Sequence, residues 1–109
     1  MTLNEAELFK AAALIRHAKR ILLVSHLRPD GDAIGSLVGL GLAFEESGRQ
    51  VQMVNEDGVP PSLRHLEGSQ RVRRCPEGVF DLTIVLDCSD LERTGTALKD
   101  RSIPDINID

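Results

Sequence analysis

Short apolar runs and helical patterns alternate along the first half of the chain. Ile21–Val24 is a continuous apolar run, typical of a strand buried on both faces of a parallel sheet. A helical pattern follows from Ala33 to Ser47, and Gly48 supplies a favourable residue for ending that helix. Val51–Val54 is a second apolar run. The pattern predicts a right-handed β-α-β unit with parallel strands.

A helix is predicted before this unit. Thr2 and Asn4 are possible N-caps, each with a glutamate three residues on. The helix should end between His17 and Arg20, where cations complement its dipole. Its apolar face is predicted to consist of Leu8, Ala11, Ala12, Ile15 and Ala18.

The second half is less regular but contains two further strands. Leu82–Leu86 is strongly apolar, and Ile106–Asp109 has the beginning of a strand pattern. A weaker helical stretch runs from Leu91 to about Lys99. Between strands two and three, a short helix is predicted over Pro60–Leu66 and a brief strand or turn over Arg71–Arg74.

Together these elements predict an α/β fold. The expected architecture is a Rossmann-like parallel sheet of about four strands in the order 2-1-3-4, with helices on both faces. Gly35 and Gly39, four residues apart in the second helix, are expected to let that helix lie close to the sheet. A dinucleotide-binding fingerprint is disfavoured, because Gly39 and Gly41 lie inside the helix and Phe44 replaces the third glycine.

Composition narrows the class of partner. The chain has 17 acidic and 13 basic residues and a net charge of −4. This balance argues against binding of long duplex DNA or RNA, which depends on many cationic contacts to phosphates. A small phosphorylated substrate held by metal ions remains compatible with it.

The sequence also bears on location. Cys75 and Cys88 have no CxxC spacing, and the N-terminus is polar and acidic, unlike a signal peptide. The longest apolar stretch, Ala33–Phe44, is too short to span a bilayer. We therefore expect a soluble cytoplasmic protein, with reduced thiols and no membrane partner.

The candidate chemistry is concentrated directly after the first strand. His26, Asp30 and Asp32 lie within one seven-residue stretch. Open α/β sheets bind ligands at the carboxyl ends of their strands, and closely spaced carboxylates repel unless a cation intervenes. Asp87 follows the third strand and should face the same loop. A histidine nitrogen with several carboxylate oxygens suits manganese better than a closed zinc site.

Each of these residues also has a simpler interpretation. Asp30 and Asp32 are favoured in turns and as helix caps, Asp87 could cap the next helix, and His26 could be a surface or hinge residue. Two separate strand ends that both finish in acids, one of them with a histidine, favour the metal site over this alternative.

The motifs resemble those of the DHH phosphoesterase superfamily over essentially the whole chain. The first motif is Ser25–Ser36, with the sequence SHLRPDGDAIGS, and the second is Val85–Asp90. Ile106–Asp109 resembles the approach to the third motif, in which two histidines follow the aspartate. The wording of the first motif is most similar to the branch of oligoribonucleases and phosphoadenosine-phosphate (PAP) phosphatases.

The resemblance implies a manganese-dependent phosphoesterase with two metal ions. His26 and Asp30 would ligate one ion and Asp32 the other, and Asp87 would bridge both. Asp109 would support its neighbours in the catalytic centre, and Arg28 is a candidate for contacting a substrate phosphate. The substrate would be a short oligoribonucleotide or a 3′-phosphorylated nucleotide.

The resemblance also implies which parts of the enzyme the chain contains. Residues 1–109 would be the N-terminal part of the catalytic domain. The two histidines and the C-terminal substrate-binding domain of the family lie beyond Asp109, so we expect weak metal binding and little turnover from this chain alone. The alternatives are a non-catalytic metal-binding stub and an α/β nucleotide-binding or interaction module whose acidic residues only form turns.

Overall fold

The computed structural model of the chain describes residues 5–86, 94–95, 98 and 104–108. The four strands form one all-parallel sheet in the order β2-β1-β3-β4, which confirms the predicted fold class and strand order. The helices are α1 (Glu5–His17) and α2 (Gly31–Glu46), and the strands are β1 (Arg20–Ser25), β2 (Gln50–Val54), β3 (Leu82–Leu86) and β4 (Ile106–Ile108).

Strand β1 lies at the centre of the sheet and is covered on both faces. Its residues from Ile21 to Ser25 are fully buried. Val24 pairs with Val54 on one side and with Val85 on the other. The continuous apolar run predicted this environment, because a strand with one wet face would alternate polar and apolar residues.

Helices α1 and α2 pack on the same face of the sheet. This face contains the larger apolar cluster, in which Ile21 and Leu23 of β1 meet Ile34 and Leu37 of α2. Ala11, Ile15 and Ala18, in or just after α1, pack against the same cluster. Among the described residues, the prediction of helices on both faces is therefore confirmed for one face.

The opposite face carries a smaller cluster. Leu22, Val24, Val54 and Val85 point to this side, with Phe80 and Leu98 packed against them. The helix predicted over Leu91–Lys99 falls mostly outside the described residues, as do Thr2 and Asn4, the predicted caps of α1.

Helix α1 is bound less firmly than its sequence pattern indicated. Leu8 is 53% exposed and Ala12 is exposed, so the predicted apolar face extends too far toward the N-terminus. The helix is instead held at its C-terminal end. Arg49, in the loop before β2, donates from Nε to the carbonyl oxygens of Ile15 at 3.1 Å and Ala18 at 3.2 Å. A side chain distant in sequence therefore satisfies carbonyls that the end of the helix leaves unpaired.

The close approach of α2 to the sheet occurs at Gly41. A Cβ atom there would lie 2.7 Å from Cγ of the buried Met53 on β2, and it would also overlap the sulfur. Gly35 and Gly39 are exposed with no neighbour that a Cβ would meet within 4 Å, so their predicted role was wrong. The four-residue spacing placed both glycines on the solvent side of the helix.

Two aspartates at the amino end of the sheet tie adjacent strands together. Asp81, just before β3, accepts hydrogen bonds from the backbone N–H groups of Lys19 and Arg20 at 3.0 Å. Asp105, just before β4, accepts one from Thr83 N–H at 2.8 Å. Each carboxylate thus accepts hydrogen bonds from backbone N–H groups at the start of the neighbouring strand.

The segment between β2 and β3 is irregular, as expected. Its regular parts are two single turns of 3₁₀ helix, Pro61–Leu63 and Ser69–Arg71, and an isolated parallel bridge between Val54 and Arg73. Cys75 is an exposed free thiol, whereas Cys88 lies outside the described residues. Within the described part of the chain, no helix is long and apolar enough to cross a membrane.

The Gly41 contact predicts opposite effects for two identical substitutions in one helix. Gly41→Ala should lower the free energy of unfolding, because overpacking costs about 1–3 kcal/mol and outweighs the gain in helix propensity. Gly39→Ala, on the exposed side, should raise it by up to about 1 kcal/mol. Urea unfolding of both variants checks this. An equal increase in the free energy of unfolding for the two would show that the Met53 side chain can move aside without cost.

The Asp81 clamp predicts a pH dependence of stability. The hydrogen bond from Lys19 N–H lowers the pKa of Asp81, with burial acting in the opposite direction. A carboxyl whose pKa is lower in the folded state stabilises it above the unfolded pKa, and this contribution disappears as the pH falls through the folded pKa. Asp81→Asn should therefore be less stable than the parent at neutral pH, and the difference should shrink below about pH 4.

Urea unfolding at pH 7 and at pH 3 measures this difference. Glu46→Gln, at the exposed end of α2, is the control and should track the parent at both pH values. A gap between parent and Asp81→Asn that stays constant with pH would exclude ionisation of Asp81 as its cause.

Candidate functional site

The candidate site begins where β1 ends. Ser25 is fully buried and His26 is 5% exposed, so the interpretation of His26 as a surface residue is wrong. His26 Nδ1 lies 2.6 Å from the carbonyl oxygen of Leu27. A carbonyl only accepts hydrogen bonds, so this contact favours the tautomer with its proton on Nδ1. That tautomer places a lone pair on Nε2, the arrangement found in metal-ligating histidines.

Asp30 is the N-cap of α2. Its Oδ1 accepts a hydrogen bond of 2.9 Å from the backbone N–H of Ala33. The simpler interpretation of Asp30 as a helix cap is therefore correct. It does not exclude a ligand role, because the cap uses one oxygen and fixes the orientation of the carboxylate. Asp32 lies in the first turn of α2 and is exposed.

Arg28 adopts an unusual backbone conformation between these acids. It has a φ of 53°, in the left-handed region that residues other than glycine rarely occupy. Its N–H donates a hydrogen bond of 2.6 Å to Oδ2 of Asp57, in the loop after β2. The Asp57 carboxylate thus holds the loop in a conformation that the Arg28 backbone disfavours, and the Arg28 residue is exposed to solvent.

Asn55 connects the first loop to the next strand and is fully buried. Its Nδ2 donates to Ser25 Oγ and to the carbonyl oxygen of His26, both at 2.6 Å. Its Oδ1 accepts from Asp57 N–H at 3.0 Å. One buried amide therefore fixes the backbone of His26 and also orients the loop that carries Asp57.

Sequence reasoning did not identify Asn55 or Asp57. A signal was present, because both follow the apolar run of β2 and thus lie at the same edge of the sheet as His26. An amide and one carboxylate after a strand are common turn residues, however, and only the contacts distinguish these from others.

The structure brings some of the predicted residues together but does not assemble a metal site from them. His26 and Asp30 lie in the loop between β1 and α2, and Asp32 lies in the first turn of α2. No group of three His, Cys, Asp or Glu side chains in the described part of the chain could hold a metal ion, however. Asp87 and Asp109 lie outside the described residues. Ser25 and Leu86 are register partners, so the parts of the two motifs that lie on β1 and β3 are adjacent.

The described donors fit manganese in kind. An imidazole nitrogen and carboxylate oxygens are borderline-to-hard donors of the kind that Mn²⁺ accepts. His26 and Asp30 also have the hydrogen bonds that orient ligands. A complete set would need donors besides these.

Two of the clefts formed by the described residues lie away from this loop. One of about 440 Å³ runs along α1, lined by Leu14, Ala18 and Asp81, and one of about 470 Å³ is lined by Arg20, Arg49 and other residues at the amino end of the sheet. Neither contains a residue of the loop from His26 to Asp32. We assign the candidate site from its chemistry and its position at the carboxyl end of the sheet, which outweigh cleft size.

Comparison with known proteins bears on the fold. No protein-family model matches the chain. A solved structure, an exopolyphosphatase-related protein from Bacteroides fragilis, is similar to it with a TM-score of 0.72 and 21% sequence identity. The likeness covers 96% of this chain and 38% of that protein. The chain thus shares its α/β fold with that protein and spans under half of its length.

The Asn55 contacts predict a local and a global effect of substitution. Asn55→Ala removes both donated hydrogen bonds, leaves buried acceptors unpaired, and should lower the free energy of unfolding by about 1–3 kcal/mol. Backbone NMR shifts of residues 26–30 should change as well. Ser25→Ala, which retains the bond to His26, is the control and should leave those shifts nearly unchanged. Unchanged shifts in Asn55→Ala would mean that residues 26–30 keep their conformation without the Asn55 side chain.

Proposed function

We propose that this chain is the metal-binding part of a manganese-dependent phosphoesterase of the DHH type. The observation that carries the proposal is the placement of the His26–Asp32 motif at the carboxyl end of the central strand, directly beside the end of β3. The resemblance of the motifs gives the reaction class. The fold shared with an exopolyphosphatase-related protein is compatible with phosphate chemistry.

His26, Asp30, Asp32 and Asp87 would hold the metal ions, and Asp109 would support them. When bound, manganese ions would lower the pKa of a water molecule and stabilise the negative charge that develops on the phosphate oxygens. The remaining contributions come from the protein itself.

The protein would position the phosphate group and its ligands. Asn55 fixes the His26 backbone, and the bond between Asp30 and Ala33 fixes the carboxylate of Asp30. The N-terminus of α2, which begins at Gly31, offers a favourable dipole for a phosphate oxygen. Arg28 would place a cation beside the same oxygens.

The proposed substrates are short oligoribonucleotides or 3′-phosphorylated nucleotides. The wording of the motif, Arg28 to Ser36, supports this branch of the family over others. The acidic net charge of the chain supports a short substrate over a long nucleic acid. We propose a cytoplasmic location on the same sequence grounds.

One other function is supported by a specific observation. Asp30 caps α2 and Asp57 holds the Arg28 backbone, so part of the acidic character of the site is already used in structure. A binding or interaction module whose acids only form turns would show the same contacts. Manganese dependence separates the two functions.

The experiment measures hydrolysis of a 5′-labelled triribonucleotide by the protein that contains this chain, with and without Mn²⁺. Asp87→Asn and His26→Ala should each reduce Mn²⁺-dependent hydrolysis by at least about 100-fold, because loss of a ligand should exceed the 10–100-fold cost typical of outer-shell changes. Glu46→Gln should retain full activity. Near-normal turnover by a folded Asp87→Asn protein would contradict the bridging role, and hydrolysis that is independent of metal would contradict the proposal as a whole.

A further inference from the structure

The segment that follows β2 forms a cleft of about 270 Å³. Arg64 and Arg74 both line this cleft, together with Ser69 and Gln70. Its lining contains no carboxylate, whereas three other clefts in the described part of the chain each include at least one. In a chain with a net charge of −4, this is a local concentration of positive charge.

The four arginines of this segment differ in their partners. Arg71 forms an ion pair with Glu45 at 2.5 Å, and Arg73 forms one with Glu77 at 2.7 Å. Arg64 and Arg74 have no carboxylate partner among the described residues. Two of the four arginines are therefore held in ion pairs, and the other two line the cleft.

Both arginines contact other residues of the segment that lines the cleft. The Arg64 Nε lies 3.4 Å from the carbonyl oxygen of Val59, and Ser69 Oγ donates to the Arg64 carbonyl at 2.9 Å. The Arg74 guanidinium lies along Gly58, where a Cβ atom would come within 3.2 Å of it. Gly58 is buried and has a φ of +75°. Glycine is suited to this position because it adopts the positive φ readily and leaves room for the Arg74 guanidinium.

The segment that lines the cleft is hydrogen-bonded to the candidate site through Asn55. Asn55 donates from Nδ2 to the His26 carbonyl at 2.6 Å and from its backbone N–H to the Arg73 carbonyl at 2.8 Å. Strand β2, which ends at Val54, is the direct neighbour of β1. The segment that lines the cleft thus begins one strand beyond the His26 loop, at the carboxyl end of β2.

We propose that the Arg64–Arg74 cleft is a phosphate subsite for a short single-stranded oligoribonucleotide. It would bind a backbone phosphate other than the one held at the His26 loop. Two arginines without carboxylate partners match a phosphate group, since guanidinium binds phosphate oxygens through parallel hydrogen bonds. The choice of ligand rests on the proposed function, and the subsite would favour substrates with at least two phosphates over mononucleotides.

The test is a titration of the chain with a 5′-phosphorylated triribonucleotide, without metal and at low salt, followed by NMR. The double variant Arg64→Gln and Arg74→Gln should weaken binding about tenfold, because charged hydrogen bonds to the phosphate are removed. The slope of log Kd against log salt should fall by about one for each phosphate that the variant no longer neutralises. In the parent, backbone shifts should move at residues 58, 64, 69, 70 and 74.

The matched control carries the same change of charge in the same segment. The double variant Arg71→Gln and Arg73→Gln removes two arginines that already have carboxylate partners. It should bind within about twofold of the parent, because exposed ion pairs contribute little. All four arginines are exposed, so both variants should keep the parent's melting temperature.

Equal weakening in both double variants would mean that only net charge matters and would overturn the subsite, as would unchanged binding in the Arg64/Arg74 variant. The titration contains no metal and involves no hydrolysis, so its result is independent of the reaction. Trinucleotide binding at the cleft in a protein without Mn²⁺-dependent hydrolysis would remove the proposed function and leave the subsite. Mn²⁺-dependent hydrolysis with the same KM in both double variants would overturn the subsite and leave the proposed function intact.

Discussion

Parallel pairing of β1 on both sides is the constraint on which the rest of the structure depends. Its side chains from Ile21 to Ser25 are completely buried, and its backbone is hydrogen-bonded to β2 and to β3. Because all three strands run the same way, the loops that follow them emerge at one edge of the sheet. The motif after β1, the Asn55 loop after β2 and Leu86 at the end of β3 are therefore neighbours as a consequence of strand direction.

The two edges of the sheet use carboxylates differently. At the amino edge, Asp81 and Asp105 accept hydrogen bonds from the backbone of the adjacent strand, and their role is to align strands. At the carboxyl edge, Asp30 and Asp57 fix the loop around His26. The buried amide of Asn55 joins this loop to the next strand through donated bonds of 2.6 Å. Such pre-organisation of a loop is what a metal or phosphate site requires, because a ligand held in place before binding loses less entropy.

The sequence predicted the elements and the strand order well, because a continuous apolar run as short as Leu82–Leu86, bounded by polar residues, fits a buried strand far better than a helix. It also located the candidate loop, because the end of the apolar run of β1 marks where that loop begins. It failed at Gly35 and Gly39, since periodicity does not say which side of a helix meets the sheet, and it failed at Leu8, which α1 leaves exposed. The contacts of Asn55 join residues about 30 positions apart in the chain, and no local pattern encodes them.

Paramagnetic broadening by Mn²⁺ can show whether a metal ion binds at the carboxyl end of β1. Backbone NMR spectra of the chain, recorded with Mn²⁺ added well below one equivalent, report which residues lie near a bound ion. We expect broadening at Ser25, at His26, at the start of α2 and at Leu86 at the end of β3. Asp81 and Asp105, at the opposite edge of the sheet, should show none. Broadening spread over the exposed acids, or centred at the amino edge of the sheet, would contradict a metal site at the carboxyl end of β1.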